Sequence, residues 1–135
     1  MNVLFMCTAN ACRSQMAEAW ARHLFPAGWT VASAGLITHP IHDRTRAIMA
    51  EAGIAMDGQF SKSIDVHDLD AFDLIVTLSE EAGRFLPPLA DPARHRHCPV
   101  SDPMAAKGSP EDIRAAYRAG RDAIGALVRG IAAAV

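Results

Sequence analysis

The chain has 135 residues, half of them hydrophobic and 21% charged, with a formal net charge of −2. That length suits a single domain, residues 1–135, whose core needs neither disulfides nor a structural metal, and the composition excludes a disordered chain. The weak negative charge offers no basic field to nucleic acid or an anionic membrane, no run approaches the ~20 apolar residues of a membrane span, and no signal-peptide pattern opens the sequence, so a cytoplasmic protein with neither kind of partner is expected.

The opening Val3-Leu4-Phe5-Met6 is continuously apolar, the pattern of a strand covered on both faces, and it ends at Cys7. After a polar loop, Met16, Ala17, Trp20, Ala21 and Leu24 recur at helical spacing until Pro26 and Gly28 stop the helix. Trp29 to Ser33 predicts a second strand, followed by a loop through Gly35 to Pro40. A helix fits Asp43 to Ala52, with Ile48, Met49 and Ala52 on one face and Gly53 as its stop. Leu74 to Leu78 reads as a buried strand, and a short helix over Glu80 to Leu86 ends before Pro87-Pro88. His97 to Val100 predicts a last short strand, interrupted by Pro99. Ser109 as N-cap, Pro110 at the first helical position and Asp112 as capping-box acid start a C-terminal helix. Its apolar stripe is Ile113, Tyr117, Ile124, Leu127, Val128 and Ile131. Strands alternating with helices imply parallel pairing through right-handed crossovers, hence an α/β three-layer sandwich of about four parallel strands flanked by helices.

The chemistry concentrates in Cys7-Thr8-Ala9-Asn10-Ala11-Cys12-Arg13-Ser14, a Cys-x5-Arg-Ser segment between an apolar strand and a helix start. Ligands of open α/β sheets bind beyond the carboxyl ends of strands, where the following helix also presents free N–H groups and its positive dipole end. A loop of small residues can turn its N–H groups inward as an anion nest, and Arg13 offers a planar fork to two oxygens. The same groups favour the thiolate of Cys7 over its thiol, making nucleophile and cradle one device. A thiolate that attacks phosphorus needs a proton donor for the departing oxygen. Asp102, in Val100-Ser101-Asp102-Pro103, is the candidate, against the plainer reading of an Asp-Pro turn.

These residues resemble the low-molecular-weight protein tyrosine phosphatase superfamily, which includes the thiol-dependent arsenate reductases. The resemblance runs through Cys7 to Glu18, Ser33-Ala34-Gly35, Leu74 to Leu78 and Asp102-Pro103. It implies the flavodoxin-like phosphatase sandwich, with Cys7 as nucleophile, Arg13 as oxyanion clamp, Ser14 as hydrogen-bond donor to the thiolate and Asp102 as general acid. Thr8, Ala9, Asn10, Ala11, Cys12, Arg13 and Ser14 would cradle the oxyanion, with Asn10 bracing the loop in the left-handed conformation that Asn tolerates. Gln15 stands where the phosphatases commonly place Pro, and Met104-Ala105-Ala106 stands where they carry aromatics, so the chain looks more like an arsenate reductase than a tyrosine phosphatase hydrolysing phosphomonoesters through a phosphocysteine.

Thioredoxin-coupled reductases carry further cysteines after the third strand, where this chain has Ser79-Glu80-Glu81-Ala82-Gly83. The resemblance then implies no bound cofactor but an external thiol, glutathione or mycothiol, with a glutaredoxin-type partner. Some reductases bind potassium beside the loop; Asn10, Glu18 and Ser33 match, but Lys62 occupies an acidic ligand position, and no metal is expected. Cys12 can either form a protective disulfide with Cys7 or rest as a buried thiol, and both readings are open. Cys98 reads as a core thiol rather than a resolving one, and His39, His42, His95 and His97 as surface histidines without metal-ligand spacing. A non-catalytic oxyanion-binding module would need neither the strand-end thiol nor the distant acid.

Overall fold

The computed structural model describes residues 1–134. Four strands and four α-helices alternate along it: β1 (Asn2–Cys7), α1 (Arg13–Leu24), β2 (Thr30–Gly35), α2 (Asp43–Glu51), β3 (Leu74–Thr77), α3 (Glu80–Phe85), β4 (His95–His97) and α4 (Pro110–Ala133). The strands form one parallel sheet, as the alternation of elements predicts, and their order is β2-β1-β3-β4.

The side-chain period of two divides the central strand between two cores. Val3, Phe5 and Cys7 point into the larger one, with Met16, Ala17 and Trp20 of α1, Ile48 and Met49 of α2, and Tyr117, Ile124, Val128 and Ile131 of α4. Leu4 and Met6 point the other way, onto Ile75, Phe72 and Ala82, covered by α3 and by two short 3-10 turns at Ile64–Val66 and Leu69–Ala71. A strand buried on both faces must be apolar at every position, which is why β1 shows no alternation. The longest helix begins as its sequence dictates: Asp112 N donates to Ser109 Oγ at 3.1 Å and Ser109 N donates to Asp112 Oδ2 at 3.0 Å, the reciprocal capping box. Among the described residues no helix is long and apolar enough to cross a membrane.

Two strands differ from the expectation by two residues or more at an end. β2 does not stop at Ser33 but runs on to Gly35, which pairs with Cys7 at the end of β1. β4 lies at His95–His97 rather than at His97–Val100. The chain beyond it still donates from Cys98 N to Thr77 O at 2.8 Å and from Val100 N to Leu78 O at 3.0 Å, but Pro99 between them has no N–H, so the regular ladder ends first. The histidines anchor that short strand, since Thr77 Oγ1 lies 2.8 Å from His95 Nε2 and 2.7 Å from His97 Nδ1.

Candidate active site

From β1 the chain moves to β2 on one side of the sheet and later returns to β3 on the other, so the carboxyl end of β1 is the topological switch point. Cys7 is the last residue of β1, and the loop to Arg13 fills the crevice.

The orientation of that loop follows from where its carbonyls go. Thr8 O accepts from Ile37 N at 3.0 Å, Ala9 O from His39 N at 3.2 Å and from Ser61 Oγ at 3.1 Å, and Ala11 O from His42 N at 3.2 Å. Thr45 Oγ1 adds a longer contact of 3.4 Å to Ala11 O. In a trans peptide the C=O of one residue and the N–H of the next point in opposite directions. With three carbonyls held outward, the N–H groups of Ala9, Asn10 and Cys12 are turned inward. Among the described residues none of the N–H groups from Ala9 to Cys12 meets a protein acceptor. Buried donors left open in this way form an anion nest. Gly35 makes the close packing possible, because a Cβ there would stand 2.7 Å from Asn10 N and 2.8 Å from the carbonyl carbon of Ala9.

A chain of buried amides fixes the atoms around the sulfur. Asn10 adopts φ 51°, the left-handed conformation expected of it. Its Oδ1 accepts from Lys62 N at 2.9 Å and from Gln15 Nε2 at 2.8 Å, so its Nδ2 must face Ser14, donating to Oγ at 2.7 Å. Ser14 Oγ thereby spends a lone pair on Asn10, and its own hydrogen is free for Cys7 Sγ, 2.8 Å away. Gln15 Nε2 also donates to Phe60 O at 3.0 Å, and Gln59 Nε2 donates to Gln15 Oε1 at 2.8 Å. Gln59, Gln15, Asn10 and Ser14 thus form one polar line ending on the sulfur. The sequence gives no sign that Gln15 and Gln59 belong to it, since the 44-residue separation is closed only by the fold.

Arg13, at the first turn of α1, is mostly buried and gathers two segments, the end of β3 and the loop after β4. Its Nη1 donates to Val100 O at 3.0 Å and approaches Leu78 O at 3.4 Å, and its Nη2 lies 3.7 Å from Asp102 Oδ2. Asp102 is held by accepting from Met104 N at 2.9 Å. Cys7, Arg13 and Asp102 therefore line one open cavity of about 570 Å³, with Glu80, Glu81, Pro99, Ser101 and Met104 completing its walls. Among the described residues no aromatic side chain lines it. The arrangement can hold a tetrahedral oxyanion on inward N–H groups and a guanidinium, over a strand-end sulfur and beside a carboxyl.

Cys12 stands in the same loop, but burial pushes its thiol up to about 12, which keeps it protonated. All three cysteines are free thiols here, and Cys98, just past β4, is half-buried with its thiol raised by burial and does not line the cavity. Lys62 lies among the oxygens of the candidate cation position. Its Nζ lies 3.1 Å from Phe60 O, 3.4 Å from Ser33 Oγ and 3.5 Å from Glu18 Oε1, while Glu18 also pairs with Arg22 at 2.6 Å. The ammonium already uses the oxygens a potassium ion would need, so these residues do not fit the ion.

Residues 2–135 match the family described as low molecular weight phosphotyrosine protein phosphatase. An arsenate reductase of Halalkalibacterium halodurans is 36% identical over 130 residues, covering 96% of this chain and 94% of that protein. The crystal structure of arsenate reductase from Archaeoglobus fulgidus superposes with a TM-score of 0.78 at 29% identity, covering 96% of this chain and 98% of the other. An arsenate reductase in the phosphate binding state gives 0.74 at 30% identity, with the same coverage. A sulfur at the switch point, an inward-facing loop and a match that spans nearly every residue converge on one assignment: the chain belongs to the low molecular weight phosphotyrosine protein phosphatase family.

Proposed function

We propose that the chain is an arsenate reductase that depends on an external thiol. Arsenate sits on the N–H groups of residues 9–14 with two oxygens on Arg13. The Cys7 thiolate, with the Ser14 hydroxyl 2.8 Å from its sulfur, attacks arsenic; an S–As bond forms, an As–O bond breaks, and the oxygen leaves as water with a proton from Asp102. A small thiolate then attacks the Cys7 sulfur. An S–S bond forms, the electron pair of the S–As bond stays with arsenic, As(V) becomes As(III), and arsenite departs. A second thiol, of a glutaredoxin-type partner or of the same small molecule, attacks the mixed disulfide and restores Cys7.

The wall of the cavity carries the choice of substrate: acidic and small residues surround the sulfur, and a phenol ring would find no aromatic face to stack on. The names of the relatives support the same reading. The need for an external thiol rests on the cysteines. Cys12 is the other cysteine lining the cavity and stays a neutral thiol, a poor nucleophile. Asp102, placed at the cavity beside Arg13, favours a second reading, hydrolysis of phosphomonoesters with a proton given to the leaving oxygen.

Side-by-side turnover tests the choice. Arsenate should be reduced with glutathione or mycothiol plus a glutaredoxin-type protein and hardly at all with thioredoxin alone. Rapid aryl-phosphate hydrolysis without arsenate turnover under any thiol system would give the function to the phosphatase reading.

A further inference from the structure

Two carboxylates of α3 stand on the rim of the cavity, and each approaches another part of the fold. Thr8 Oγ1 lies 3.2 Å from Glu81 Oε2 and must donate to it, since a carboxylate only accepts. Glu81 is kept ionised, its carboxyl lowered by its own backbone N–H, then by the Thr8 hydroxyl, with help from the charges of Arg13 and Arg84. Glu80 Oε2 lies 3.5 Å from His97 Nε2, and that ring is itself fixed through Nδ1 to Thr77. Glu81 is thereby tied to the loop, while exposed Glu80 stands beside the His97 ring of β4. The cavity is polarised, with inward N–H groups and Arg13 on the floor and carboxylates on the rim.

A tetrahedral oxyanion reaches the floor and neutralises it. The next molecule to approach Cys7 then meets a floor already satisfied and a rim that is negative. We propose that Glu80 and Glu81 act as a charge filter over Cys7, favouring neutral or cationic thiols and slowing, without excluding, anionic ones such as glutathione. This rests on the reductase reading for its substrate, but the filter itself is a property of the rim. Clefts lined by charge of one sign change encounter rates by about tenfold or more, and the effect falls with ionic strength.

The test uses disulfide exchange, which reads access to the Cys7 thiolate without arsenic: the thiolate attacks a symmetrical disulfide, a mixed disulfide forms on Cys7, and one thiolate leaves. Cystamine, bis(2-hydroxyethyl) disulfide and 3,3′-dithiodipropionate provide cationic, neutral and anionic probes. Labelling of Cys7 is followed by peptide mass, in the unaltered chain and in Glu80→Gln/Glu81→Gln, with each rate divided by that of the neutral probe. The glutamines keep the shape and the Thr8 bond, and Arg13 is common to both proteins. Removing the charges should lower the relative rate of the cationic probe and raise that of the anionic probe, each by about fivefold at about 0.01 M salt, with the difference vanishing near 1 M. Identical relative rates in the two proteins, or a difference that persists at high salt, would overturn the filter. In parallel, cysteamine, 2-mercaptoethanol and 3-mercaptopropionate, compared at equal thiolate, should drive arsenate turnover in that order. If the disulfide arm shows the filter and no thiol drives arsenate turnover, the filter stands and the reductase reading falls.

Discussion

In Gly35→Ala the added methyl would stand 2.7 Å from the amide nitrogen of Asn10 and 2.8 Å from the carbonyl carbon of Ala9, and it would also meet Ile37 O. Ordinary contact of such atoms is near ~3.5 Å, so backbone on two sides must retreat by roughly 0.7 Å. All the atoms met are main chain, and no side-chain rotamer can relieve them. Overpacking of this kind costs about 2–3 kcal/mol, which in a domain of this size lowers Tm by roughly 7–10 °C. The functional loss should exceed what the stability loss implies, because the displaced atoms carry the inward N–H groups of Ala9 and Asn10. A misplacement approaching ~1 Å costs up to about a hundredfold in rate. Thermal unfolding and phosphate titration calorimetry measure the two effects. Gly130→Ala is the control, since nothing lies within 4 Å of its Cβ position on the exposed side of α4, and it should stabilise by roughly 0.5–1 kcal/mol. Unaltered Tm and phosphate affinity in Gly35→Ala would refute the account of how the loop is held.

Other perturbations address the remaining parts. Ser14→Ala removes a charge-assisted hydrogen bond of about 1.5 kcal/mol or more, so iodoacetamide should label Cys7 about tenfold more slowly at pH 7; an unchanged rate would exclude the Ser14 hydroxyl as donor to the sulfur. In the same experiment Cys12, with its thiol at about 12, should stay unlabelled. Asp102→Asn should slow phosphate esters with poor leaving groups far more than those with good ones, and equal slowing across the series would remove the general-acid role. Arg118, then Arg121, hold the Glu51 carboxyl at about 2 against an ordinary 4.5. A depressed carboxyl contributes stability that is present above its unfolded value and is lost as pH falls through the folded one. The stability difference between the unaltered chain and Glu51→Gln should therefore be constant above pH 5 and shrink between about 4.5 and 2, which acid titration of Tm checks.

The order of elements, the parallel sheet and the loop were legible because each rests on local sequence: an apolar run, a helical stripe, a capping box, Cys and Arg at a fixed spacing. What surrounds the loop was not. Gln59, Ser61 and Lys62 reach it from a segment without regular secondary structure, through backbone and amide contacts that any polar sequence could supply. Gly35 read as part of a loop because a glycine after Ser-Ala resembles a turn, whereas its role lies in what passes over it. The misplaced last strand has a related cause. Val100 looks more strand-like than His95, but the position of Pro99 and the grip of Thr77 on two imidazoles decide the matter. Glu80 and Glu81 read only as the start of a short helix, and only the return of β3 beside β1 brings them over the sulfur.

The outward carbonyls of Thr8, Ala9 and Ala11 have a consequence for how this site tolerates change. Three of their donors are main-chain N–H groups, of Ile37, His39 and His42, so the side chains at those positions can vary while the cradle keeps its shape. Proline alone deletes the donor. Exposed Ile37 and His39 should accept most residues with little effect on phosphate binding, yet Ile37→Pro should release Thr8 O and let its peptide unit turn over, pointing an oxygen rather than an N–H at the anion, whereas in His39→Pro the Ser61 hydroxyl still holds Ala9 O. Such a flip reverses the sign of one contact instead of removing it. A substitution at the surface, remote in sequence from the reactive sulfur, would thus convert a donor of the nest into a repulsive group while the folded chain kept its core.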